Sequence, residues 1–204
     1  MTSTVILISG RGSNMQALVE AGVPVAAVLS NRADAAGLAY AASRGIATAV
    51  VPHHNFASRE AFDAALAQAI DGFRPDLVLL AGFMRILSES FVERYHGRLL
   101  NIHPSLLPAF PGLDTHARAL AAGVKLHGCS VHFVTPQLDH GPIVIQAAVP
   151  VLADDDETRL AARVLAQEHR IYPQAAHWFL EGKLVIERGV VRVKGDYPQQ
   201  LYAP

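Results

Sequence analysis

A single cysteine, Cys129, among 204 residues excludes an intrachain disulfide framework. The fold must therefore rest on core packing, which suits a reducing compartment. Charge is also scarce: charged residues make up 17%, with 17 Lys+Arg against 18 Asp+Glu and a formal net charge of −1. No Lys/Arg cluster forms the basic stripe that a nucleic-acid binder carries, so a partner as large as tRNA is disfavoured, though a single phosphate group is not. No apolar run is long and uninterrupted enough to span a bilayer. Met1 leads through Thr2-Ser3-Thr4 directly into a strand-like segment, with no secretory signal. These absences predict a cytoplasmic protein with no membrane partner.

What is abundant is apolar: 51% of the chain, which suits a globular protein with a buried sheet. Short runs without alternation, Val5–Ile8, Val25–Leu29, Ala47–Val51, Leu77–Leu80 and Leu99–Ile102, alternate with helical patterns. Helices are predicted from Met15 to about Ala21 and over Gly37–Arg44, and a third begins after Ser58 with Phe62, Leu66 and Ile70 as its apolar stripe. A fourth, capped by Ser88 or Ser90, runs to Tyr95. Repeated β-α-β units with non-alternating strands imply a parallel sheet covered on both faces.

The second half differs. Pro104, Pro108, Pro111 and Gly112 predict a rigid loop, followed by a short helix near His116–Ala122. Strands are predicted at Ser130–Val134 and Ile143–Val149, joined by a turn around Asp139. A helix after Asp154-Asp155-Asp156 then carries Leu160, Val164, Glu168 and Ile171 on one face. Arg188-Gly189 is a two-residue hairpin signal between Leu184–Glu187 and Val190–Val193. The expected fold is α/β: a single domain over 1–204 with a mostly parallel, Rossmann-like sheet flanked by helices, and antiparallel strands added in the C-terminal part.

Three segments carry chemistry. Gly10-Arg11-Gly12-Ser13-Asn14 stands between a strand and a helix, where backbone N–H groups and the helix N-terminus can hold an anion. The alternative is an ordinary tight turn. The loop lacks the Gly-Lys-Ser/Thr of a Walker A motif and the third glycine of a dinucleotide fingerprint, so a small phosphate monoester is the expected ligand. Asn101-Ile102-His103-Pro104-Ser105 puts an amide and an imidazole at the C-terminal end of a strand, on the same side. Open parallel sheets bind ligands beyond those ends. An imidazole supplies a proton near neutral pH and an amide can donate to an oxyanion, although a histidine here can equally be a structural hydrogen-bonding group. Asp139 in Leu138-Asp139-His140-Gly141-Pro142 reads unaided as a turn residue; its functional alternative is a carboxylate that orients His103. His53-His54 and His127/Cys129/His132 match no common zinc spacing, so no metal is expected.

With Gly12-Ser13-Asn14, Leu79 through Leu87, Leu99 through Pro108 and Asp139 in view, the chain resembles the family of glycinamide ribonucleotide transformylases (phosphoribosylglycinamide formyltransferases), which are folate-dependent. The resemblance runs from Val5 to about Phe179. It implies 10-formyltetrahydrofolate as co-substrate and formyl transfer to the amine of glycinamide ribonucleotide, in purine biosynthesis. It places the ribonucleotide phosphate and ribose on Gly12, Ser13, Asn14 and Glu168. The folate falls to Arg59, Met84, Arg85, Ile86, Leu87 and Asn101, and catalysis to Asn101, His103 and Asp139. The phosphate-binding half is then about 1–100, with folate and catalytic elements mainly from about 80–170, in a monomer or homodimer. The sequence departs from the family pattern in a short segment after the first helix, in His140 beside Asp139 and in the tail after Trp178. A methionyl-tRNA formyltransferase or a formyltetrahydrofolate deformylase would carry an extra domain, for which this chain is expected to be too short. A non-catalytic phosphoribosyl-binding module is the alternative of a different class.

Overall fold

The computed structural model describes residues 2–203 and divides the chain into two compact units, Met1–Asn101 and Ile102–Pro204.

In the first unit β1 (Thr4–Ile8) is buried at every position, as is β4 (Leu77–Leu80). This is why neither segment alternates: each is covered on both faces. β1 leads through the glycine loop into α1 (Ser13–Glu20), which starts two residues before its predicted start. The chain continues with β2 (Val25–Ser30), α2 (Ala36–Ser43) and β3 (Ala47–Val50). A 3₁₀ turn at His53–Asn55 and α3 (Arg59–Asp71) precede β4. α3 begins as predicted, with the Ser58 hydroxyl accepting from the Ala61 N–H at 3.1 Å, and Phe62, Leu66 and Ile70 form its buried stripe. Of the two serines proposed to cap α4 (Glu89–Arg94), Ser88 holds the position. β5 (Leu99–His103) follows. The strands lie in the order β3-β2-β1-β4-β5, all parallel. The chain builds outward from β1 to β3 and then returns to place β4 on the other side of β1. Such a reversal opens a crevice at the C-terminal strand ends.

The second unit begins with the last residues of β5, Ile102 and His103. It contains α5 (Thr115–Ala121), β6 (Leu126–Phe133), β7 (Ile143–Pro150) and α6 (Glu157–Leu180). β6 starts earlier than its predicted start at Ser130, because Leu126, His127 and Gly128 pair with Pro150, Val149 and Ala148 of antiparallel β7. α6 packs on β6 and β7 and buries Leu160, Val164, Glu168 and Ile171, the face read from sequence. Asp156 caps it, accepting from the Arg159 N–H at 2.8 Å. β8 (Leu184–Glu187) and β9 (Val190–Val193) form the predicted hairpin, with Arg188 and Gly189 both at positive φ. One strand was not anticipated: β10 (Gln200–Tyr202) pairs with β7 in parallel. The fold is α/β, with a mostly parallel sheet and antiparallel pairs confined to the C-terminal half.

Candidate active site

The crevice at the reversal point of the first unit is a cavity of about 370 Å³. Every segment that follows β1 to β4 contributes to its lining: Gly10 to Asn14 after β1, Asn31 and Arg32 after β2, His53 after β3, and Gly82, Met84 and Arg85 after β4. The glycine loop and part of the expected folate segment thus share one lining. Gly12 adopts φ 73°, a left-handed conformation that favours glycine, and a β-carbon there would come within 3.0 Å of Met15 Cε and 3.2 Å of Gly37 Cα. The missing side chain lets the loop pack tightly on the core, and Gly12, Ser13 and Asn14 at the start of α1 line the cavity, where a helix N-terminus suits an anion.

A hydrogen-bonded chain braces this lining. The Met84 N–H donates to Ser9 Oγ at 2.8 Å, and that hydroxyl donates to Asn31 Oδ1 at 2.7 Å. His53 Nδ1 lies 3.2 Å from Asn31 Nδ2 and 3.0 Å from the Asn31 carbonyl oxygen. Arg32 is held by Asp34 through two bonds of 3.0 and 2.7 Å. Met84 and Ile86, which flank Arg85 in the chain, are 70% and 61% exposed. Arg59, at the first turn of α3, lies 3.4 Å from Glu60 and does not line this cavity.

The second unit holds the histidine and the carboxylate that sequence alone could not join. His103 Nδ1 and Asp139 Oδ2 are 3.5 Å apart, an ion-pair contact longer than a direct hydrogen bond, with both side chains 7% exposed. Asp139 takes φ 54° at the tip of its turn, and its Oδ2 accepts from the Gly112 N–H at 2.8 Å. The residue is a turn former and a partner of His103 at once. His103 Nε2 lies 3.0 Å from the Phe110 carbonyl oxygen. Both ring nitrogens therefore face oxygen atoms.

His132, considered in the sequence only as a metal candidate, has Nε2 at 3.8 Å from Asp139 Oδ1. Its Nδ1 is 2.9 Å from the Phe133 carbonyl oxygen, which fixes the ring's orientation. Burial holds His132 below the ordinary imidazole range, against opposing pulls from that carbonyl and from Asp139. Beside this group His127 Nε2 and His116 Nδ1 are 3.2 Å apart. Burial, with smaller contributions from His116 and His103, pushes His127 down to about 4. Burial first, then the charge of Glu168, pushes the Cys129 thiol up, so this cysteine is no nucleophile. Gly141 closes the turn: a β-carbon there would collide with the Phe133 carbonyl oxygen, the same atom that His132 faces. Among the described residues no group of three or more His, Cys, Asp or Glu could hold a metal ion.

Asn101 ends the first unit, two positions before His103 on β5, and Glu168 lies on the buried face of α6. The signals available in the sequence for the missed residues were weak. Asn31 and His53 stand two residues beyond predicted strand ends, and His132 lies in a predicted strand.

Comparison with known proteins accords with both halves of this description. The formyl transferase family model matches residues 2–176. The Escherichia coli (strain K12) phosphoribosylglycinamide formyltransferase is 52% identical over 206 residues, 98% of this chain and 97% of that protein. The Drosophila melanogaster trifunctional purine biosynthetic protein adenosine-3 is 48% identical over 189 residues, 89% of this chain but 14% of that longer one. The solved structure of the Coxiella burnetii phosphoribosylglycinamide formyltransferase in complex with CHES matches with a TM-score of 0.92 and 45% identity, covering 100% of this chain and 99% of that one. A match over most of the chain, at such identity and with the same fold, leaves one conclusion: this chain belongs to the formyl transferase family.

Proposed function

We propose that the chain is a phosphoribosylglycinamide formyltransferase: it transfers the formyl group of 10-formyltetrahydrofolate to the amine of glycinamide ribonucleotide, giving formylglycinamide ribonucleotide and tetrahydrofolate, in de novo purine biosynthesis. The observation that carries the reading is near full-length likeness to enzymes of that name, in a chain whose buried His103–Asp139 pair supplies the chemistry. The family model runs across both compact units, which supports one formyltransferase domain over 1–204.

In this mechanism the ribonucleotide amine attacks the formyl carbon and forms a C–N bond while the carbonyl oxygen becomes an oxyanion. The Nε2–H of His103, which serves the Phe110 carbonyl here, donates to that oxyanion together with the Asn101 amide. Asp139 holds the ring and assists the transfer of a proton, through water, from the attacking amine to the departing folate nitrogen. Gly12, Ser13 and Asn14 bind the phosphate, and Glu168 contacts the ribose. Met84 and Ile86, exposed on either side of Arg85, fit a flat apolar ring; with Leu87, Arg59 and Asn101 they bind the folate. No metal and no covalent enzyme intermediate take part. The enzyme works in the cytoplasm as a monomer or homodimer, without nucleic acid.

The test supplies 10-formyltetrahydrofolate with glycinamide ribonucleotide, with initiator Met-tRNA, and with water alone. Rapid transfer is expected only with the ribonucleotide; equal turnover without it would sink the assignment.

A further inference from the structure

We propose that His53 is a further ribonucleotide-binding residue, donating from Nε2 to the substrate phosphate. The inference rests on the function proposed above and deepens it. Three observations carry it. First, the 3₁₀ turn after β3 brings His53 into the lining of the cavity that Gly12, Ser13 and Asn14 also line. Second, the ring is already anchored. Its Nδ1 is engaged by Asn31, whose carboxamide is fixed in turn by Ser9 Oγ, and that oxygen by the Met84 N–H. Phe62 meets the ring edge-on, with centroids 6.4 Å apart. The anchoring uses one ring nitrogen and leaves Nε2 for a ligand, with little further ordering needed on binding.

Third, the charges select an anion. No aspartate or glutamate lines the cavity, and Arg32, the cation nearest in sequence to Asn31, is engaged by Asp34. A phosphate monoester in the glycine loop has more acceptor positions than the α1 amides alone can fill. An imidazole N–H beyond the end of β3, on a ring already anchored by Asn31, supplies a donor that an arginine engaged by Asp34 does not.

The geometry suggests variants that separate ligand binding from bracing. Asparagine reproduces the Nδ1 position of histidine and glutamine its Nε2 position. Relative to the native enzyme, His53→Ala and His53→Asn are expected to raise the KM for glycinamide ribonucleotide by roughly 10–100-fold, the scale of a lost charge-assisted hydrogen bond. His53→Gln should recover most of that loss. Neither kcat nor the KM for 10-formyltetrahydrofolate should change more than about twofold. With the dephosphorylated riboside as acceptor, native enzyme and His53→Ala should have the same kcat/KM within about twofold.

Native KM in His53→Asn with a raised KM in His53→Ala alone would reduce His53 to a brace for Asn31 and overturn the proposal. So would a penalty that persists in full on the riboside. The two readings fail separately. If the native enzyme does not prefer the phosphorylated acceptor, the phosphate-loop assignment itself is wrong. If it does and the His53 variants share that preference undiminished, only the present inference falls.

Discussion

Asp139 joins more of the proposed site's polar groups than any one hydrogen bond does. Its carboxylate faces His103, His132 and the Gly112 N–H together. Asp139→Asn retains an oxygen for the Gly112 N–H and retains the turn, so a purely structural role predicts little loss of rate. A catalytic role predicts a fall in kcat on the order of 10²–10⁴ with both substrates still bound. Steady-state kinetics of this variant, of His103→Ala and of the double variant decide the matter, because groups that act as one unit are strongly non-additive. Near-native kcat in Asp139→Asn would leave it a turn residue. How legible such residues were depended on distance along the chain. Asn101 and His103 were readable because both sit on one strand and a strand's alternation is local. Asp139 was readable only through the family resemblance, because no periodicity joins a turn to a distant strand end. Asn31, His53 and His132 were missed for the same reason: their contacts with Ser9, with each other and with Asp139 span distant segments and leave no local signature.

At the scale of elements, the predicted strands and helices were recovered with small shifts of their ends. Buried parallel strands announce themselves as continuous apolar runs, and Ser58 and Asp156 announce helix starts by their side chains. β10 escaped because three residues, Gln200, Leu201 and Tyr202, carry no pattern and owe their conformation to β7. The junction of β1 and α1 yields the sharpest test at this scale. Gly12→Val must force a β-branched residue to φ 73° and press it on Met15 and the Gly37 backbone. The expected outcome is a loss of about 1–3 kcal/mol in stability, with the ribonucleotide KM raised and the folate affinity nearly intact. Urea unfolding and calorimetric titration with each substrate measure the two effects. Unchanged ribonucleotide affinity in a folded variant would refute the loop assignment.

The molecule as a whole should register its buried histidines as a pH dependence of stability. Burial lowers His116, His127 and His132 below the ordinary imidazole value of about 6.5, and His127 reaches about 4. Between those values the unfolded chain binds protons that the folded chain refuses, so stability falls with falling pH. The contribution is present in full above about pH 6.5 and is lost on the way down to about 4. Asp155, lowered to about 2 mainly by Arg163, keeps its own contribution through this window and loses it only in stronger acid. The urea midpoint should therefore decline steadily from neutral to mildly acidic pH in the native protein and less steeply in His127→Gln; parallel curves would exclude His127 as a cause. The turn at Gly141 has a consequence for how such a protein can diverge. Because a β-carbon there meets the carbonyl that His132 faces, the placement of that buried imidazole depends on a position that has no side chain at all. A search for activity determinants confined to polar residues would pass over it, and a lineage free to vary its loops would still find this hydrogen atom irreplaceable.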